Sequence, residues 1–273
     1  MLFRSDEAAM RIDLVTLFPA MFAGVFGSSI IGRAVQRELI DIHYTDFRDY
    51  ATDKHHHVDD TPCGGGAGMV LKPEPLYAAV RDIYGKTAAY AEHRCTIIFD
   101  PAGDVFTQRT AKELASYKQL VLICGHYEGF DARIYDLADR LISVGDFVLT
   151  GGEIPAMLTV DATARMLPGV LGDAASAATD SFFDGLLGYP QYTRPRDFEG
   201  KAVPDVLLSG NHAEIARWRR EQALLTTLLH RPELLARVTL SQADQIFLEQ
   251  QKKTKENKES LRESRENDII DSI

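Results

Sequence analysis

Long apolar runs are missing from this chain of 273 residues. No stretch approaches the ~18 consecutive apolar residues of a membrane-spanning helix, so no membrane partner is expected. The opening MLFRSDEAAM has neither the apolar core nor the small-residue cleavage pattern of a secretory signal. Residues 1–10 are therefore predicted to be a loose, disordered leader, with Met10 a candidate native start. Cysteine is scarce. Cys63, Cys95 and Cys124 are too few and too far apart for a disulfide framework or a zinc site, which suits a reducing, cytoplasmic location. A surplus of positive charge is also lacking: the formal net charge is -10 and the pI about 5.3. Attraction of the whole surface to nucleic acid is thereby excluded. Charge is unevenly placed, however. Residues 191–237 hold eight Lys/Arg against six Asp/Glu, together with His212, Trp218 and His230.

Several familiar signatures are absent too. There is no Gly-x-Gly-x-x-Gly; GGGAG at 64–68 has the wrong spacing and sits in a long loop. GSSIIGRA at 27–34 imitates a phosphate-binding loop up to its second glycine, then presents Arg33-Ala34 where Lys and Ser/Thr are needed. The histidines at 55–57 lie near Cys63, Asp59 and Asp60. Consecutive side chains point different ways, so no metal ligands are assigned there.

What is present is alternation of strands and helices. RIDLVTLFP (11–19), IDIHYTDF (40–47), CTIIFDP (95–101) and QLVLICG (119–125) read as strands. IGRAVQREL (31–39), KPEPLYAAVRDIY (72–84), TQRTAKELAS (107–116) and IPAMLTVDATARML (154–167) read as helices. Short apolar strands between helices predict an α/β fold, a parallel sheet with helices on both faces. The predicted domains are a catalytic one over 11–171, a flexible linker over 172–182, a smaller mainly helical one over 183–250, and a charged, disordered tail over 251–273. The smaller domain carries the helical pattern NHAEIARWRREQALLTTLLH (211–230) and a shorter helix beginning RPELLARV.

Glycines cluster at three strand ends: FDPAG (99–103), ICGHYEGFD (123–131) and VGDFVLTGGE (144–153). In the last, Phe147, Val148 and Leu149 read as a buried strand with glycines on both sides. Tight turns are one reason for such glycines; close approach of something flat to bare backbone is the other. In open α/β sheets ligands sit beyond the carboxyl ends of strands, so three such loops, with the glycine-rich loop 53–68, predict one shared ligand site.

These segments carry a resemblance. VDDTPCGGGAGM (58–69), CGHYEGFDAR (124–133), VGDFVLTGGEIPAM (144–157), PGVLG (168–172), DSF (180–182), YTRP (192–195) and VLLSGNHAEIARWR (206–219) closely resemble, in order and spacing, the bacterial tRNA (guanine-N1)-methyltransferases of the TrmD family. The similarity runs from about Arg11 to about Glu249. It implies a SPOUT-class fold with a deep trefoil knot, a homodimer whose active site combines both subunits, S-adenosyl-L-methionine as cofactor and tRNA as partner. The implied target is N1 of the guanosine at position 37, directly 3′ of the anticodon, when another guanosine precedes it. His126 stands where the family carries Arg, and the 55–57 histidines replace a more basic trio.

By the same resemblance, the cofactor would lie against Phe99, Asp100 and Pro101, against Gly125, Tyr127 and Glu128, and against Val144, Gly145, Asp146, Phe147, Val148, Leu149, Gly151, Gly152 and Pro155. Asp180 matches the general base and Arg165 the group that stabilises charge on guanine O6. Read from its surroundings alone, Asp180 is as well suited to capping a helix beginning at SFFDGLL. Implied tRNA contacts are Asp60, Gly66, Arg194, Arg196, His212, Arg217, Arg219 and Arg220. Magnesium is associated with activity in the family, without a dedicated cage in this sequence. The rival functions are a knotted methyltransferase acting on ribose or rRNA and an RNA-binding module with a decayed pocket.

Overall fold

The computed structural model describes residues 9–172 and 179–254. The predicted leader through residue 8, most of the linker (173–178) and the tail from 255 lie outside the described residues. The chain divides into two compact units, Met1–Ala177 and Ala178–Ile273.

The first unit is an α/β layer structure. Its sheet has the order β2-β1-β6-β5-β7, formed by Ile40–Asp46, Met10–Thr16, Gln119–Ile123, Arg94–Val105 and Arg140–Ser143. Every neighbouring pair is parallel. β1 starts at Met10, a residue assigned from sequence to the leader; its side chain is buried. β7 was not recognised in the sequence, because Arg140 and a span of four residues leave no periodicity to read.

Side chains alternate across the sheet, and each face meets helices. Ile12 and Leu14 of β1 and Leu120 and Leu122 of β6 pack with Phe22 and Phe26, with Ile31 and Ala34, with Leu114, and with Ala156 and Val160. Those partners come from α1 (Ala23–Phe26) and the turn before it, α2 (Ser29–Gln36), α4 (Gln108–Leu114) and α5 (Glu153–Ala164). On the other face, Val15, Val121 and Ile123 pack against Leu76, Ala79, Val80 and Ile83 of α3 (Pro73–Lys86). Local chemistry agrees with these elements. α3 opens with proline in its first turn and Glu74 beside its positive end. α4 is closed by a reciprocal Thr107–Thr110 capping box.

The amino ends of the strands are tied by a buried polar network. Asp13, 1% exposed, accepts two hydrogen bonds from Arg11 at 2.8 and 2.7 Å and one from Gln119 Nε2 at 2.7 Å. Gln119 Oε1 in turn accepts from Arg94 Nε at 2.7 Å, and Arg94 donates to the Thr87 carbonyl. Every partner is satisfied, as buried polar groups require.

The second unit has the long helix His212–His230, a short helix Asp205–Leu208, a 3-10 turn Pro232–Arg237, a helix over 242–254, and a two-stranded hairpin of Asp197–Phe198 and Lys201–Ala202. Its core is Leu186, Leu224 and Leu248.

Removing the acceptor of this network leaves the buried Gln119 amide and the partly exposed Arg11 guanidinium without their partner. Asp13→Ala is expected to cost about 1 to 3 kcal/mol, whereas Asp41→Ala, which breaks an exposed pair with His43, is expected to cost less than about 1 kcal/mol. Equilibrium urea unfolding of the two variants measures the difference.

Candidate active site

Three loops beyond the carboxyl ends of β5, β6 and β7 enclose a cavity of about 270 Å³. A bulge makes the first wall. Phe99 and Asp104 of β5 both align with Ile142 of β7, so residues 100–103 leave the ladder and Asp100 and Pro101 project over the sheet end. The second wall is the 125–130 turn, where Tyr127 sits at positive φ. β4 (Val70–Leu71) supports it, since Met69 O accepts from Glu128 N and Leu71 N donates to Gly129 O. The third is the chain from Ser143 to Pro155. All the predicted cofactor residues line this cavity except Asp146, which is exposed outside it.

One expectation is overturned here. Phe147, Val148 and Leu149 are not a strand: they form an irregular loop, with Phe147 58% and Val148 90% exposed. The flanking glycines have separate tasks. Gly145 has φ +139°, a conformation that only glycine adopts readily. Gly152 meets protein backbone instead of ligand. A Cβ there would lie 2.7 Å from Cys124 Cα and 2.9 Å from Gly125 N, and Gly152 N donates to Gly125 O at 2.9 Å. Its lack of a side chain lets the entry to α5 press against the end of β6.

Immediately after, Glu153 is buried at the start of α5. Its carboxylate accepts from Thr16 Oγ1 at 2.6 Å and is hydrogen-bonded to His126 Nε2 at 2.7 Å. His126 also lies against Phe18, with ring centroids 4.7 Å apart. Glu153 was missed in the sequence, where an acidic residue in a first helical turn reads as an ordinary dipole complement. Across the cavity, Asp100 accepts from Tyr135 OH and from Ala102 N. Burial, then the Asp100 bond, raises the Tyr135 pKa, so the phenol stays protonated as donor. Cys124, behind the wall, is held as an inert thiol by complete burial, which pushes its pKa up. The lining contains Asp100, Glu128 and His126 but no Lys or Arg. A polyphosphate ligand finds no Lys or Arg to pair with among the described residues, whereas a flat ligand bearing positive charge suits it.

The remaining predicted residues are scattered. Arg165 is the C-cap of α5, and Glu153 at the opposite end adjoins the cavity. Asp180 lies in the second unit, where residues 181–186 are turns and bends, so it caps no helix. Asp60 is exposed on β3 (Asp59–Asp60) and accepts from Thr61 N; Gly66 has φ +141° in the adjoining loop. Among 55–57, His56 faces the Arg48 carbonyl and His57 pairs with Asp53. Among the described residues no group of three or more His, Cys, Asp or Glu gathers to hold a metal. In the second unit His212 opens the long helix, and Arg194, Arg196 and Arg219 line a cavity of about 990 Å³. Arg217 loosely pairs with Glu221 at 3.8 Å. Arg220 differs: it donates to both oxygens of Asp244, at 3.2 and 3.0 Å, and to Asp184 at 3.0 Å. Its guanidinium is committed within the unit, and the predicted phosphate contact is withdrawn for it.

Comparison with known proteins adds a family. The family model described as tRNA (Guanine-1)-methyltransferase TrmD matches residues 10–237. Three relatives, each named tRNA (guanine-N(1)-)-methyltransferase, are similar nearly end to end. That of Syntrophotalea carbinolica is 54% identical over 241 residues, 88% of this chain and 96% of the relative. That of Dictyoglomus turgidum is 52% identical over 244 residues, 89% and 97%. That of Desulfitobacterium hafniense is 54% identical over 241 residues, 88% and 90%.

Two outcomes are expected from this geometry. Gly152→Ala drives a methyl into the β6 backbone and should lower stability by about 1 to 3 kcal/mol; Gly24→Ala, with open space around it, should not, and denaturant midpoints compare them. Arg220→Gln should destabilise the second unit by about 1 to 2 kcal/mol, discounted for solvent at the guanidinium. Asp244 has a lowered pKa, chiefly through the Arg220 hydrogen bond, so its contribution is present above the ordinary carboxylate range and lost as pH falls through the lowered value. Thermal melts of wild type and variant should therefore differ at pH 7 and converge in acid, below about pH 4.

Proposed function

The chain belongs to the tRNA (guanine-1)-methyltransferase family TrmD, and on that premise we propose that it transfers a methyl group from S-adenosylmethionine to N1 of guanosine 37 in tRNA, where another guanosine precedes it. It is an enzyme that methylates N1 of guanine in tRNA; the observation that carries this is identity above 50% with enzymes of that name over 88–89% of the chain. Its proposed location is the cytoplasm. No helix among the described residues is long and apolar enough to cross a membrane.

The cofactor assignment fits the first cavity. Tyr127 and Phe147 offer exposed rings for a flat base, and Asp100 and Glu128 face a ligand with positive charge and no phosphate. When bound, S-adenosylmethionine supplies an electrophilic methyl group on a sulfonium sulfur. The proposed trefoil knot, an exception to the avoidance of threading, is supported by the chain path. From β7 at the sheet edge the chain returns past β5 and β6 until Glu153 reaches Thr16 at the end of β1.

Guanine N1 carries a proton, so its lone pair becomes available only when a base takes that proton. Asp180 is assigned that role; the turn that follows it leaves no helix for it to cap. Arg165 is assigned to the charge developing on O6. Along α5, twelve residues separate it from Glu153, which is about 18 Å at the usual helical rise. Arg165 is therefore remote from the cavity of its own chain, and this supports a homodimer with a shared site. The first turns of the outer face of α5 are apolar, with Ile154 and Leu158 49% and 44% exposed ahead of Asp161, and Met21 and Val25 are exposed as well. A two-fold partner packing its own α5 antiparallel on that stripe would bring its Arg165 to the Gly152–Pro155 end. Arg194, Arg196, Arg217 and Arg219 are assigned to tRNA phosphates, with Asp60, Gly66 and His212 as further RNA contacts. The target base must leave its stack to enter the cavity. No cage for the family's magnesium is built by the described residues, and no step is assigned to it.

Asp180→Asn is expected to lower single-turnover methylation of tRNA by roughly two to four powers of ten while leaving cofactor affinity near normal. Near-wild-type turnover would end the assignment. Mixing Asp180→Asn with a cofactor-deficient Gly145→Val copy separates a shared site from a self-contained one. A shared site should recover up to about a quarter of wild-type activity, because half the dimers then carry one complete site; a self-contained site recovers none.

A further inference from the structure

The cavity of the second unit contrasts with the first in size and charge. Its floor is apolar, formed by Val203 and Leu207, and one wall is the long helix, where Trp218 and Arg219 follow Ile215 at helical spacing. Opposite, the ring of Tyr192 stands 48% exposed with its centroid 6.3 Å from that of Trp218. Arg194, Arg196 and Arg219 line the same space, and among the described residues none of the three is in an ion pair. Arg219 instead lies over the Tyr189 ring, 5.0 Å from its centroid. An exposed Tyr192 ring beside the half-buried Trp218, over an apolar floor, asks for a planar, apolar partner. Three guanidiniums without carboxylates, in a chain of net charge -10, ask for an anion. A nucleotide meets both demands in one group.

We propose that this cavity takes an unpaired nucleotide of the tRNA other than the methylated guanosine, its base stacking on Tyr192 beside Trp218, whose ring is tilted 56° from it, while its phosphates meet the arginines. The second unit then reads single-stranded RNA by stacking, in addition to backbone charge. A duplex, whose bases are stacked on one another, cannot enter in this way. The inference rests on tRNA being the substrate.

Trp218 is the sole tryptophan, so intrinsic fluorescence of the full-length protein reports on this wall. Three probes are titrated: an RNA hairpin with a seven-nucleotide anticodon loop, a blunt RNA duplex of the same length, and inorganic tripolyphosphate. The hairpin should quench Trp218, and the other two should give weaker effects that salt abolishes. Tyr192→Leu, which keeps the apolar volume and loses the ring, should weaken hairpin binding about tenfold, within the range for one stacked base. Tyr192→Phe should restore it, and cofactor binding should be unchanged in both. Equal quenching by duplex or tripolyphosphate, or wild-type hairpin affinity in Tyr192→Leu, would show a site that senses charge alone and would overturn the proposal. Methylation of bulk tRNA by the same preparation keeps two failures apart. Methylation without hairpin quenching overturns the stacking site alone; absence of methylation overturns the substrate reading beneath it.

Discussion

Backbone contact between the entry of α5 and the end of β6 is the constraint on which the first cavity depends. Gly152 donates to the Gly125 carbonyl with no side chain between them, and this delivers Glu153 into the protein interior. A buried carboxylate needs partners, and it finds Thr16 from β1 and His126 from the loop after β6. One residue thus joins the ends of two strands to the start of a helix. The chain between β7 and α5 is pinned at Ser143 and at Gly152, and between them Asp146, Phe147, Thr150 and above all Val148 are exposed. A pinned frame with an exposed lip suits a site open to a ligand.

Charge is divided between the units in a way that the total conceals. The cavity at the sheet edge carries acidic groups and a histidine; the cavity of the second unit carries arginines and aromatic rings. The first is suited to a flat ligand bearing positive charge and the second to a polyanion. The overall excess of acidic residues limits indiscriminate attraction to RNA, while Arg194, Arg196 and Arg219 gather at one cavity. Arg220 marks the boundary of that rule. It has the same charge and lies in the same helical segment as Arg217 and Arg219, yet it serves the fold, locked to Asp184 and Asp244.

Much of the α/β architecture was legible because it rests on short-range chemistry. Apolar strands at 11–19, 40–47, 95–101 and 119–125, proline at the start of α3 and the Thr107 cap of α4 each announce themselves within a few residues. The failures occur where distant segments decide. Phe147-Val148-Leu149 has the composition of a buried strand, but among the described residues its backbone pairs with no strand, and it is a loop. β7 has weak composition, but β5 offers it a ladder on both sides of a bulge.

The sequence by itself determined the periodicity of the elements, the glycine-rich strand ends that line the first cavity, and the motifs that carry the family. Tertiary structure alone decided what each glycine and each charge is for. Gly152 serves a backbone approach, Glu153 is a buried acceptor, and Arg220 is an internal clamp, none of which is encoded in neighbouring residues. The physical reason is range. Helix and strand preferences act over three or four positions, whereas burial and hydrogen-bond partners are set by groups far apart in the chain, as Thr16 is from Glu153, 137 residues away.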